Sequence, residues 1–315
     1  MHNNFLFYII IAVLINIVNG CTESNESSRT HFEVQDISSI TKIFLADRRG
    51  NTITLDKKEK NWSVNNQFEV RNDAISILLS TINNIRVKKP ISKASFNNVI
   101  RYMATSGVSV EIFSGDKIIK AYVIGSNTAD HLGTYMMLRN SKEPYVVHIP
   151  SFNGFLSPRY GIQANMLDIQ SWRSNNVFNL EFDDIHYIKY TDLLNNKSSY
   201  SLSKKPITLR DYNNKTIALN KNNVLKLLNS FENLNCEAYK KDKNKIDFAT
   251  PLQELIVNSD TLRTYRISKL NQNNNEDNFT VERKYATLNN GELMLIQDYV
   301  FNKVLINITE LKKQK

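Results

Sequence analysis

Few residues in this chain are equipped for chemistry. Two cysteines, Cys21 and Cys236, and five histidines, His2, His31, His131, His148 and His186, occur in 315 residues. No histidine is paired with another His, a Cys or an acid at metal-ligand spacing. No metal and no cofactor are therefore expected. There is no G-x-S-x-G elbow and no phosphate loop, and nine glycines leave no Gly-rich cradle. Asp183-Asp184 precedes a strand pattern, where carboxylates cap turns. A glycosidase would need two acids converging across a cleft, which nothing here suggests. The expectation is no catalytic residue and no enzyme. Cys236 reads as a small hydrophobe near a helix end.

Cys21 is different, because of what precedes it. Residues 5–18 are apolar except for Asn16. Fourteen helical residues rise about 21 Å, short of the ~30 Å a membrane core needs. The stretch fits the apolar region of a signal peptide. It runs into Val18-Asn19-Gly20-Cys21, and polar sequence follows at once. The ending resembles a bacterial lipobox. That resemblance implies cleavage between Gly20 and Cys21, lipid on the Cys21 thiol and acylation of the new amino terminus. Several acyl chains together anchor stably, since each buried methylene adds about 0.8 kcal/mol. The leading Met-His-Asn-Asn lacks the usual Lys or Arg, and Asn19 is unusual at its position. Thr22 is no Asp-type retention cue for the inner membrane, so the outer membrane is favoured.

The elements behind this leader form a duplication. Residues 1–20 are the signal peptide, 21–37 a lipid-anchored tether spanning about 20 Å, 38–170 a first α+β unit and 171–315 a second. Ile40, Ile43 and Asp47 match Ile185, Ile188 and Asp192; Leu55 matches Leu202. Ile75, Leu78, Leu79, Ile82 and Ile85 form a one-sided helical stripe, and Val224, Leu227, Leu228, Phe231 and Leu234 repeat it. Glu111-Ile112 aligns with Glu254-Leu255, residues 119–124 with 262–267, and Tyr135, Met137 and Arg139 with Phe279, Val281 and Arg283. Each unit is thus expected to be an antiparallel sheet with one main amphipathic helix, opening on a hairpin and closing on a four-strand meander.

With Ile85-Arg86-Val87, Gly133-Thr134-Tyr135, the segment 172–178 and Phe182-Asp183-Asp184-Ile185, the chain resembles the bacterial family called domain of unknown function 4340, over about residues 38–300. The resemblance implies an envelope protein, often a lipoprotein in Bacteroidota, with some members accompanying export or gliding machinery. It supplies no catalytic residue. It points to an accessory or scaffold subunit with a protein partner in the envelope, the alternative being a lipoprotein that binds glycan or peptide.

Composition sets the remaining limits. The net charge is +9, from 40 Lys and Arg against 31 Asp and Glu. Lys57-Lys58, Lys88-Lys89, Lys204-Lys205, Lys240-Lys241 and the tail lysines fall in expected turns, as solvated loops rather than a nucleic-acid face. The frequent asparagines read as a codon bias. Asp260-Thr261-Leu262 resembles a Bacteroidota O-glycosylation pattern and makes Thr261 a candidate site. Tyrosines at strand positions combine apolar faces with polar tips, suited to packing or to a ligand platform.

Overall fold

Buried residues alternate with half-exposed ones along Lys42–Ala46 (β1), which puts Ile43 and Leu45 on one face. The chain turns back through Thr52–Lys57 (β2), Trp62–Val64 (β3) and Phe68–Glu69 (β4), a meander on one side of β1. Helix Asn72–Asn84 (α1) follows, then Arg86–Pro90 (β5) and a second helix, Lys93–Ser106 (α2). Val108–Ser114 (β6), Lys117–Asn127 (β7), Thr134–Leu138 (β8) and Tyr145–His148 (β9) complete a nine-stranded antiparallel sheet in the order β4-β3-β2-β1-β6-β7-β8-β9-β5. A short ribbon, Ile162–Gln163 (β10) with Met166–Leu167 (β11), follows. The structure, a computed structural model, describes residues 30–240, 246–267 and 282–313. The chain divides into two compact units between Ser174 and Asn175.

The second unit repeats this topology. It begins with Asn176–Phe178 (β12), Tyr187–Asp192 (β13), Tyr200–Lys204 (β14), Ile207–Asp211 (β15) and Thr216–Ile217 (β16). Helix Lys221–Leu228 (α3) leads to Leu234–Asn235 (β17) and Ala238–Lys240 (β18). Gln253–Val257 (β19), Asp260–Tyr265 (β20), Arg283–Leu288 (β21) and Leu293–Gln297 (β22) complete the sheet, and two short helices, Asp298–Phe301 (α4) and Ile308–Leu311 (α5), end the unit. The order β16-β15-β14-β13-β19-β20-β21-β22-β18 is that of the first sheet, strand for strand. The fold is α+β, with mostly antiparallel strands and few helices.

Register tests the repeat residue by residue. Ile43 stands opposite Leu55 and Ile112; Ile188 stands opposite Leu202 and Val257. The expected match of Leu55 with Leu202 agrees. The match of Ile112 with Leu255 does not, because Val257 takes that place. A slip of two leaves every side chain on its proper face, so the hydrophobic pattern cannot detect it. Farther along, Tyr122 pairs with Val110 and Leu262 with Leu255, which makes Leu262, not Tyr265, the counterpart of Tyr122. Phe279 and Val281 lie outside the described residues.

Three further differences have physical causes. Phe32 is fully buried, and the Val34 N–H donates to the Ile82 carbonyl (3.1 Å), so the expected tether is packed from Phe32 onward. The second unit does the same, with Leu180 donating to Phe231 (3.2 Å). The first unit also has two long helices where one main helix was expected. Tyr122 and Ile124 face the core that α1 covers, whereas Met103 of α2 lies 3.0 Å from where a Gly125 side chain would begin. Adjacent strand residues face opposite ways, so α2 covers the other face. Its buried stripe, Val99 and Met103 alone, is too sparse to read from sequence. At the helix starts, Arg71 caps α1 without a side-chain bond, and the Asn220 side chain caps α3 by accepting from the Asn222 and Asn223 N–H groups. Lys88-Lys89 lies in edge strand β5 and Lys204 ends β14, rather than in turns.

Asparagine takes over the corners that glycine usually occupies. Asn65, Asn66, Asn165, Asn214, Asn233, Asn258, Asn289 and Asn290 all have positive φ. Several latch a strand end reciprocally. The Asn65 N–H donates to the Thr54 carbonyl (2.8 Å) while its side-chain oxygen accepts the Thr54 N–H (2.8 Å). Asn289 does this with Thr261, and Asn258 with Tyr187.

One polar contact sits in the middle of the first core. Tyr122 and Tyr160 are fully buried, with their hydroxyls 2.8 Å apart, and burial pushes both phenols well above their ordinary pKa. Tyr160→Phe is expected to cost about 1–2 kcal/mol, because it strands the Tyr122 hydroxyl. The double Tyr122→Phe/Tyr160→Phe change should cost less than the two single changes summed. Urea unfolding of all three variants checks this, and strict additivity would show that the bond contributes nothing.

Candidate functional site

One hollow lies in the first unit, where the segment after β9 folds back onto the start of α1. The Arg71 N–H donates to the Trp172 carbonyl (2.8 Å), Val70 bridges Arg173, and the Ser174 N–H donates to Glu69 (2.7 Å). This antiparallel strip forms one side. The 3-10 turn Ser157–Tyr160, ending in Gly161, and the 3-10 turn Ile169–Ser171, capped by Asp168, form the rest. The hollow is half open to solvent and has a volume of about 280 Å³.

Gly161 is required there on two counts. Its φ is +66°, and a side chain would begin 2.7 Å from Nε1 of Trp172. Trp172 is buried (1% exposed), and its Nε1 has no hydrogen-bond partner among the described residues. The buried Oε1 of Gln170 has none either. Arg159 lies over the Phe152 ring (4.2 Å) and donates to Oγ1 of Thr81 (3.3 Å). Arg71 donates to Asp73 (3.2 and 3.3 Å). Two permanent cations, an indole donor and an amide acceptor therefore border one small space.

Asp47 holds the ribbon that leads into this hollow. Its carboxylate accepts the Leu167 N–H (3.1 Å), the N–H groups of Arg49 and Asn51 (2.9 Å each) and the Asn51 amide (2.8 Å). Burial by itself would raise its pKa. The bonds from the Asn51 side chain and from the Leu167, Asn51 and Arg49 N–H groups outweigh that and hold the carboxyl below the usual range. Its sequence counterpart, Asp192, caps the equivalent strand end by accepting from Leu194 (3.0 Å) and Asn195 (2.9 Å).

The second unit has two other hollows. One, of about 430 Å³, is bordered by Tyr187, Tyr190, Tyr200 and Tyr212 with Lys189 and Asp211. The Tyr200 hydroxyl is buried with no partner among the described residues, while that of Tyr190 accepts from Gln253 (2.9 Å). Burial pushes Tyr190 up to about 12 and Tyr200 further still, so both stay neutral donors at ordinary pH. The other hollow, about 620 Å³, runs beside α3 past Leu227 and Ile306.

The residues singled out from sequence do not gather in any one hollow. Gly20 and Cys21 lie outside the described residues. Thr261 sits half-buried in β20, an inner strand, where Asn289 holds its backbone. Asp184 completes a capping box with Glu181, and Asp183 pairs with Lys204 (3.1 Å), so the acid pair fixes a turn. Lys204 is buried over the Phe182 ring (3.9 Å). Cys236 is buried. His131 contacts Asn127, His31 contacts Glu33, and burial lowers the pKa of His148 on β9. Among the described residues, no group of three or more His, Cys, Asp and Glu could hold a metal, and no helix is long and apolar enough to cross a membrane. Sequence reading missed the hollow at Trp172 because its polar atoms come from segments about 90 residues apart in number. The Gly161 and Trp172 pairing was the one available signal.

A family model described as Domain of unknown function (DUF4340) matches residues 102–251. The match runs from within α2 through the back of the first sheet and the front of the second. No curated protein and no solved structure matches the chain.

The Asp47 geometry sets a pH dependence. A carboxyl whose folded pKa is depressed stabilises fully above its unfolded value, near 4, and loses that contribution as pH falls through the folded value. Asp47→Asn is expected to cost about 1–2 kcal/mol at pH 7 and much less near pH 2. Urea midpoints for both proteins at the two pH values check it; an equal gap at both would refute the assignment.

Proposed function

We propose that this chain is a non-catalytic, lipid-anchored envelope protein that serves as an accessory or scaffold subunit of an envelope transport or gliding-type assembly. The observation that carries this reading is the repeated frame. The same nine-stranded order occurs twice while the surfaces built on it diverge. Helix α2 covers a sheet face in the first unit, and the second has no counterpart helix among its described residues. A frame kept constant beneath altered surfaces suits a platform that presents different faces to partners. The free edges are blunted: β4 and β16 have two residues each, and β5 carries Lys88, Lys89 and Pro90. Partners would accordingly meet faces and hollows rather than add a strand. The lipobox-like leader supports an anchor at Cys21, with the outer membrane favoured.

The tyrosine-lined hollow of the second unit favours a second reading, a lipoprotein that binds glycan or peptide. Four tyrosines offer flat apolar faces with hydroxyl tips, as sugar and peptide sites do.

Cys21→Ala is expected to abolish incorporation of a palmitate probe and release the protein from membranes; labelling and membrane attachment that persist would overturn the anchor. Crosslinking in intact cells, followed by mass spectrometry, should recover subunits of one envelope export or gliding machine in fixed ratio with the wild-type chain. Recovery of a bound sugar and no protein would move the conclusion to the second reading.

A further inference from the structure

The hollow beside Trp172 has the composition of a small-ligand site, a role separate from anchoring or scaffolding. Its volume, about 280 Å³, lies just under the roughly 300–1,000 Å³ that drug-sized ligands occupy. It is several times the ~30 Å³ share of one water. A single trapped water therefore does not account for it, and the matching ligand is the size of one sugar ring.

The lining chemistry narrows the class. Nε1 of Trp172 can only donate, and in a residue 1% exposed it has no partner among the described residues. Leaving such a group unpaired costs about 1–3 kcal/mol, which a ligand acceptor would recover. Arg71 and Arg159 add two guanidiniums that stay charged at any working pH. The first turn of α1, a helix of 13 residues, borders the same space, and no side chain caps it. Its N-terminal end adds positive potential. These features favour a carboxylate. In the opposite sense, Oε1 of Gln170 is a buried acceptor with no partner among the described residues, and Asp168 lies beside it, its Oδ1 accepting the Gln170 N–H (3.1 Å). These favour hydroxyl groups. Asp73, paired to Arg71, and Asp168 balance the two arginines in formal charge, which leaves the helix end and the Arg159 guanidinium face, with no carboxylate partner among the described residues, as the positive features of the hollow.

We infer that the first unit holds a binding site for an acidic monosaccharide unit, its carboxylate met by Arg71, Arg159 and the Trp172 indole, and its hydroxyls by Gln170 and Asp168.

The test uses the full chain in detergent with ¹⁵N-labelled tryptophan. Its two indole signals come from Trp62 and Trp172, and Trp62, on β3, serves as the folding control. D-glucuronate should shift the Trp172 indole signal saturably and leave Trp62 unmoved, while D-glucose at the same concentrations should do neither. Arg159→Gln and Arg71→Gln should each weaken glucuronate by about tenfold. Gln170→Leu should weaken glucuronate yet leave any response to inorganic phosphate unchanged. A flat Trp172 signal with glucuronate, while Trp62 reports a folded protein, overturns the site. An equal response to glucose overturns its acidic character, and phosphate binding as tightly as glucuronate overturns the part assigned to the hydroxyls.

Discussion

Each unit depends on one ladder, the pairing of the first strand of its nine-stranded sheet with a strand that arrives about 65 residues later. Ile43 against Ile112 and Ile188 against Val257 weld a front meander to a back meander. Without that weld each sheet is two separate ribbons, one of four strands and one of five. The central strand is paired on both sides, so its inward residues meet neighbours left and right as well as the covering helix. Ile43, Leu45 and Ile188 are all fully buried. The segment after the last strand then closes the core. Leu156, Tyr160 and Trp172 do so in the first unit, and Phe301, Ile308 and Leu311 in the second.

A sheet this wide needs many tight corners, and the chain has only nine glycines to make them. Asparagine supplies the rest. It tolerates positive φ better than other side chains, and its amide oxygen takes the strand N–H that a turn would leave exposed. The asparagine load, which reads from composition as codon bias, thus has a structural use at six described corners, two of which use a pair of asparagines. Glycine is kept where a side chain has no room, as at Gly125 under Met103 and Gly161 against Trp172.

The duplicated units share a frame but not their polar features. In the first, an indole nitrogen and an amide oxygen remain unpaired beside two arginines. In the second, four tyrosines surround a separate hollow with one unpaired hydroxyl. Buried polar atoms without partners are costly and therefore few, and three of those among the described residues belong to side chains that border hollows. Lys204 and Asp183 illustrate the opposite case. Their charges are consumed in fixing a turn, and a pair of lysines that looks solvated in sequence is half structural.

The sequence alone determined what is local or periodic. The apolar leader ending at Cys21, the two helical stripes as far as Ile82 and Leu228, the opening hairpins and the match of Ile43 and Leu55 with Ile188 and Leu202 all follow from residue spacing, because burial repeats with the period of each element; beyond those points Ile85, Phe231 and Leu234 stay buried outside the α-helices. Tertiary structure decided what that period leaves open. A two-residue slip preserves every facing, so only the hydrogen-bond ladder could place Val257 opposite Ile188. The burial of Phe32 and Val34 depends on a helix end some fifty residues away. Helix α2 shows two buried positions and earns its place only against a glycine of a distant strand. The hollow at Trp172 exists because residues 71, 159 and 170 converge, a consequence of chain path that no spacing within one segment encodes.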